Sequence, residues 1–172
     1  MNKIVLVTGA TSGIGKATAE KFAQKGFNII ITGRRKERLD SLEKSLKEKY
    51  KIEVKSLNFD VRSNEEVEKN LNSLPKEWQN IDVLVNNAGL AAGKDLIQEA
   101  LLSDWEQMID TDVKGLLYVS RVVIPWMIKR KMGHVINLCS IAGKEVYQGG
   151  SVYCAVKHAV DAISKGMRVD CL

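Results

Sequence analysis

The chain has 172 residues but only three cysteines, Cys139, Cys154 and Cys171. Their odd number and the lack of a CxxC spacing exclude a disulfide framework and a zinc site, and no metal is expected. Reduced thiols suit a cytoplasmic location. Cys139 and Cys154, which flank Ser140 and Tyr153, are expected to be small buried packing residues. No apolar run is long enough to span a bilayer. The first run, Ile4 to Val7, is interrupted by Thr8, Gly9 and Lys16, too early for the apolar stretch of a signal peptide. Aromatic residues make up 6% of the chain and are not interleaved with basic ones, which argues against a single-stranded nucleic-acid binder. The 26 basic and 21 acidic residues leave a net charge of +5. That charge is dispersed and partly paired, as in Glu43 with Lys47, so it reads as solvated helix surface. No repeat, low-complexity tract or linker interrupts the chain, and a single domain over residues 1–172 is expected.

What the chain does contain is an alternation of short apolar runs with longer amphipathic segments. Ile4 to Val7, Asn28 to Thr32, Val54 to Phe59, Ile81 to Val85 and His134 to Leu138 read as strands. The β-branched, near-continuous apolar character of all but the third suits a parallel sheet covered on both faces. A helix is predicted over Ile14 to Gln24, with Lys25-Gly26 as its stop. Leu39, Leu42 and Leu46 form the stripe of a second helix. Ser63 to Glu66 is a capping box ahead of Val67, Leu71 and Leu74. Ser103 to Glu106 is another, opening a helical region to about Arg130 with a kink or break at Pro125. Ala91 to Gln98 reads as a loop of functional size. A last helix, Ser151 to Leu172, carries Val156, Ala159, Val160, Ile163 and Met167 on one face. The alternation implies right-handed crossovers and an α/β fold: a doubly wound, Rossmann-like parallel sheet.

Gly9, Gly13 and Gly15 fall between the first strand and the first helix, in a GxxxGxG spacing. Glycine lets backbone turn sharply and lets a pyrophosphate come close, and the helix start offers free N–H groups to an anion. The end of the second strand, where an acidic residue would bind the ribose diol of NAD, reads Gly33-Arg34-Arg35. No carboxylate there repels a 2′-phosphate, and two guanidiniums are available to clamp it, so NADP(H) is the expected cofactor.

Tyr153 and Lys157 stand at i and i+4 of the last helix and share a face. A free phenol ionises near pH ~10, and an adjacent ammonium favours its ionised form. Such a phenol can pass a proton to or from a carbinol oxygen. Ser140, at the end of the fifth strand, is positioned to hydrogen-bond the same oxygen.

With these elements the chain resembles the short-chain dehydrogenase/reductase family. The matches are Thr8 to Gly15 (TGATSGIG), Asp60-Val61, Asn86 to Gly89 (NNAG), Ser140, and Tyr153 to Lys157 (YCAVK). The resemblance implies that Thr8, Gly9, Ser12, Gly13, Ile14 and Gly15 form the cofactor loop and that Asp60 and Val61 lie beside the adenine. It implies that Asn87, Ala88 and Gly89 pass behind the cofactor, and that Lys157 holds the nicotinamide ribose while tuning Tyr153. More narrowly, Val85 to Gly93, Asp104-Trp105 and Tyr147 to Tyr153 resemble NADP-dependent 3-hydroxy acid (serine-type) dehydrogenases. The implied partner is a small hydroxy or oxo substrate. The alternatives are a general carbonyl or 3-oxoacyl reductase, and a cofactor-binding protein with little or no turnover. The long helices, with Trp105 and Trp126 in need of burial, point to a homo-oligomer, a dimer or tetramer.

Two departures stand out. In the family an asparagine occupies the position of Asp112; the aspartate keeps the backbone carbonyl, and its charge is expected to pair with Lys157 and to lower turnover. The family also continues past the last helix with a sixth strand, a substrate-covering lid and a seventh strand, so a C-terminally incomplete chain with an unprotected sheet edge is expected.

Overall fold

Four consecutive apolar residues make β1 (Ile4–Val7) the axis of the molecule, none of them more than 2% exposed. In the computed structural model, which describes residues 2–171, four more strands join it. These are β2 (Asn28–Gly33), β3 (Val54–Asn58), β4 (Ile81–Asn86) and β5 (His134–Asn137). All pairings are parallel, and the order across the sheet is β3-β2-β1-β4-β5. The chain therefore reverses its winding between β1 and β4, the place where an open α/β sheet leaves a crevice at the strand ends.

Alternation along β1 sorts the core into two layers. Val5 and Val7 pack with Ile29, Ile31 and Val85 under α1 (Gly13–Gln24) and α2 (Lys36–Tyr50). Ile4 and Leu6 pack with Ile30, Leu84, Val119 and Val123 on the other face, beneath α3 (Asn64–Asn72) and α5 (Leu116–Arg130). The remaining helices are α4 (Leu102–Met108) and α6 (Ser151–Asp170). The expected leucine stripe of α2 is buried, and Gly26 ends α1 with φ +78°. Glu43 and Lys47 form the expected pair at 2.5 Å. Ser63 caps α3 by accepting from the amide of Glu66, although the Glu66 carboxylate turns to the amide of Asp60 instead of back to Ser63.

Four expectations are corrected. Pro125 does not break its helix; α5 runs through it to Arg130. The irregularity lies upstream, where Ile109–Gly115 winds as a π-helix between α4 and α5. Ser103 is not an N-cap: α4 starts a residue earlier, from an extended Leu101, without any side-chain cap. β5 is not covered on both faces, because it is an edge strand with His134 and Ile136 exposed. Cys154 is buried as expected, but Cys139 is exposed. Trp105 and Trp126 are each half-buried. No helix among the described residues is long and apolar enough to cross a membrane, and no group of three or more potential metal ligands occurs among them.

Candidate active site

The turn from β1 into α1 is shaped by contacts that leave no room for side chains. Gly9 takes φ +66° and Gly13 φ +54°, a region that disfavours residues with a Cβ. A Cβ on Gly15 would lie 2.5 Å from the Gly9 carbonyl oxygen and would collide with the Asn87 amide. Asn87 is the brace of this turn: its Nδ2 donates to the carbonyls of Thr8 at 2.8 Å and Gly9 at 3.2 Å. Thr8 returns the tie, its Oγ1 accepting from the amides of Asn87 and Ala88, both at 3.0 Å. The ends of β1 and β4 are thus locked together, and Thr8 and Gly15 act from behind the cleft wall.

The first turn of α1 holds no acidic residue and no side-chain cap, so its amides and the positive end of its dipole are left for an anion. The Ser12 hydroxyl, which would otherwise cap the helix, accepts instead from Arg35 Nη2 at 2.8 Å. Thr11 Oγ1 accepts from the same guanidinium, at 2.5 Å from Nη2 and 3.1 Å from Nε. Hydroxyls orient Arg35 without neutralising it. Arg34 lies 3.8 Å from Asp60, which is chelated more tightly by Arg62, at 2.7 Å from Nη2 and 2.9 Å from Nε. Burial works against ionisation of Asp60, but the Arg62 guanidinium and amide and the charge of Arg34 prevail and hold its carboxyl below the usual range. Three guanidiniums against the carboxylates of Asp60 and Glu66 leave this end of the cleft positive.

These residues open onto a cleft of about 510 Å³. Of the residues expected at a cofactor, Gly9, Ser12, Gly13, Ile14, Arg34, Arg35, Asp60, Val61, Asn87, Ala88, Gly89, Tyr153 and Lys157 line it. The fit to a dinucleotide phosphate is good: a glycine cradle, an uncapped helix start and orienting guanidiniums share one wall. A smaller hollow of about 30 Å³ adjoins it, lined by residues that include Gly93, Asp104, Trp105, Tyr147 and Gly150. Tyr153 lines both spaces.

At the inner end, Lys157 Nζ lies 5.8 Å from the centre of the Tyr153 ring and donates to the Leu138 carbonyl at 3.2 Å. Its nearest charge is Asp112, whose Oδ2 is 2.9 Å away. This is a close ion pair whose alignment falls short of a hydrogen bond. Asp112 Oδ1 accepts from the amide of Leu90 at 2.9 Å. Burial pushes the Asp112 carboxyl above its ordinary value, and the Lys157 charge and the Leu90 amide pull it back only in part. Ser140, like Thr8, lines neither space: its Oγ accepts from the amide of Ala142 at 3.2 Å and caps the short turn Ile141–Gly143.

The family model for short chain dehydrogenases matches residues 3–172. The chain belongs to that family. It is 48% identical over 167 residues to the NADP-dependent 3-hydroxy acid dehydrogenase YdfG of Escherichia coli O6:H1, covering 97% of this chain and 66% of the relative. It is 42% identical over 170 residues to the serine 3-dehydrogenase of Agrobacterium fabrum, covering 99% of this chain and 66% of that one. A solved closed form of serine dehydrogenase complexed with NADP+ superposes with a TM-score of 0.90 at 48% identity, over 97% of this chain and 66% of that one. The chain thus spans just under two thirds of the length of these relatives.

Several contributors escaped the sequence reading. Thr11 sits inside the glycine-rich motif, but its grip on Arg35 spans 24 positions and leaves no local signal. Arg62 could have been found as a basic residue two positions after Asp60 in a turn. Leu90 and Leu138 act through backbone atoms, which a side-chain pattern does not reveal.

Proposed function

We propose that this chain carries the cofactor-binding and proton-transfer machinery of an NADP(H)-dependent oxidoreductase acting on a secondary alcohol or its carbonyl, a 3-hydroxy acid of the serine type. The observation that supports this most is Tyr153, which lines both the large cleft and the adjoining hollow and has the Lys157 ammonium beside its ring. When bound, the nicotinamide supplies or accepts the hydride at the substrate carbon. The glycine turn and the start of α1 would hold the pyrophosphate. Arg35, oriented by Thr11 and Ser12 and facing no carboxylate of its own, would take the 2′-phosphate together with Arg34, whose pairing with Asp60 is loose at 3.8 Å. In the oxidising direction the Tyr153 oxygen takes the alcohol proton; in the reverse direction it returns it. Lys157 stabilises the negative charge that develops on that oxygen and would hydrogen-bond the ribose. Ser140 assists the carbinol oxygen once its hydroxyl turns from the Ala142 amide.

Similarity to a 3-hydroxy acid dehydrogenase and to a serine 3-dehydrogenase favours a 3-hydroxy acid over a general carbonyl or 3-oxoacyl substrate. The exposed apolar residues Leu102, Ile109, Leu117 and Ile128 support association of copies through α4 and α5, and sedimentation tests this. The second reading, a cofactor-binding protein with little turnover, is favoured by one observation, the carboxylate on Lys157. The deciding experiment is Tyr153→Phe in the full-length protein, followed by NADPH absorbance with serine-like 3-hydroxy acids. The expected result is a loss of about 10²- to 10⁴-fold in kcat with cofactor binding retained. A fully active variant refutes the mechanism, and a wild type that binds NADPH but oxidises no alcohol favours the second reading.

A further inference from the structure

Lys157 is asked to do three things with one charge. Its ammonium has three donors. One goes to the Leu138 carbonyl at 3.2 Å, and its charge is faced at 2.9 Å by Asp112. Side-chain exposures of 9% for the lysine and none for the aspartate leave little water to screen that attraction. The carboxylate cannot easily turn away. Oδ1 is held by the Leu90 amide, and the backbone of Gly89 closes over Oδ2, where a Cβ would approach to 2.9 Å. The other ionisable groups around the pair are few. Tyr153 comes from α6, and Cys139, whose thiol donates to the Lys157 carbonyl at 3.2 Å, comes from the segment after β5. The loop after β4 brings no ionisable side chain between Asn87 and Ala92. Along the cleft wall the remaining charges are Arg34, Arg35 and Asp60, at its other end.

We propose that Asp112 is a positioning residue that holds Lys157 in a closed ion pair and so attenuates the help the ammonium gives to Tyr153 and to the cofactor ribose. A free ammonium offers a full positive charge to the phenol oxygen. The same ammonium beside a fixed carboxylate offers only a dipole, whose field falls off faster with distance. Asparagine at this position keeps an oxygen for the Leu90 amide and removes the negative charge, so the fold is retained and the lysine is released.

This inference rests on the functional reading above, and the experiment separates the two. Asp112→Asn is compared with wild type in the full-length protein by equilibrium NADPH binding, followed by fluorescence, and by the pH profile of kcat/KM for alcohol oxidation. Asp112→Asn is expected to bind NADPH several-fold more tightly and to raise kcat/KM about tenfold near neutral pH. The acid limb of its profile is expected about one pH unit lower. In a Lys157→Met background the same change at residue 112 is expected to leave NADPH affinity unaltered, because the effect passes through the lysine. Unchanged binding and an unmoved acid limb in Asp112→Asn, with Tyr153→Phe inactive, overturn this inference alone. An active Tyr153→Phe overturns the functional reading beneath it. A variant that only unfolds at lower temperature, with both readouts unmoved, shows a structural role and also overturns the inference.

Discussion

At the β2 end of the cleft the guanidiniums of Arg34, Arg35 and Arg62 outnumber the carboxylates of Asp60 and Glu66, in contact with solvent; the side chains of Arg34 and Arg62 are 57% and 37% exposed. At the α6 end one ammonium faces one carboxylate nearly out of reach of water. The first arrangement leaves surplus charge where water screens it, which suits capture and release of a multiply charged ligand. The second leaves no surplus, and every change in it is felt, because the protein medium screens little and the desolvation cost has already been incurred. Substitutions at the two ends therefore differ in kind. The outer set tunes affinity and responds to salt, whereas the inner pair couples stability to chemistry.

The largest expected effect is at the inner end. Asp112→Ala leaves the Lys157 ammonium without its counter-charge and the Leu90 amide without its acceptor, and is expected to cost about 3–5 kcal/mol in urea unfolding. A loss below about 1 kcal/mol would mean that water reaches the pair and that the contrast between the ends is false. The milder Asp112→Asn sharpens the point through pH. Burial raises the Asp112 carboxyl in the folded protein, so between its unfolded value of about 4 and that raised value the folded state binds more protons. Wild type is thus expected to lose stability relative to Asp112→Asn as pH rises through that interval, and urea midpoints taken across it check the sign.

Next in size is Gly15→Ala. Its Cβ meets the Asn87 amide and the Gly9 carbonyl, and relief requires moving the turn proposed to cradle the phosphates. A displacement of about 1 Å there is expected to lower kcat/KM about 100-fold. An unaffected variant would show that Asn87 does not brace the turn. The smallest effect is expected at the outer end. Arg35→Ala removes one charge-assisted contact, worth roughly 1.5 kcal/mol or about tenfold in NADPH affinity, with NADH little changed. The difference is expected to shrink in high salt. Equal losses for both cofactors would remove Arg35 from the 2′-phosphate.

Legibility in the sequence follows the same division between local and distant causes. Strands β1, β2 and β4 could be read within a residue or so because β-branched apolar runs bounded by glycine or asparagine carry their own signal. The glycine turn and the i,i+4 spacing of Tyr153 and Lys157 are local for the same reason. Ser103 misled because a serine followed three positions later by glutamate is only a pattern. The chain is already helical at Leu102, so the hydroxyl has no free amide to cap. Pro125 misled because a helix that is packed through Val119, Val123 and Met127 tolerates one missing donor. The half-exposed edge at β5 and the capture of Arg35 by Thr11 and Ser12 depend on neighbours far away in the chain. The pairing of Asp112 with Lys157 is legible only as a departure from the family the chain resembles; its depth and its anchoring at Leu90 leave no signal in the sequence.

The wide turn at Ile109–Gly115 has a consequence for how this stretch can change over time. A π-helical turn holds about one more residue than an α-helical one, and its wider loop absorbs that residue so that the helices on either side keep their phase. Deleting a single residue from the turn would restore ordinary winding and leave the flanking helices in register, so the change falls on the turn itself. Asp112 would then be carried off its ammonium, while the buried side of α5 stays against the core. Replacement of side chains here alters the chemistry by degrees, whereas a change in length dismantles it at once.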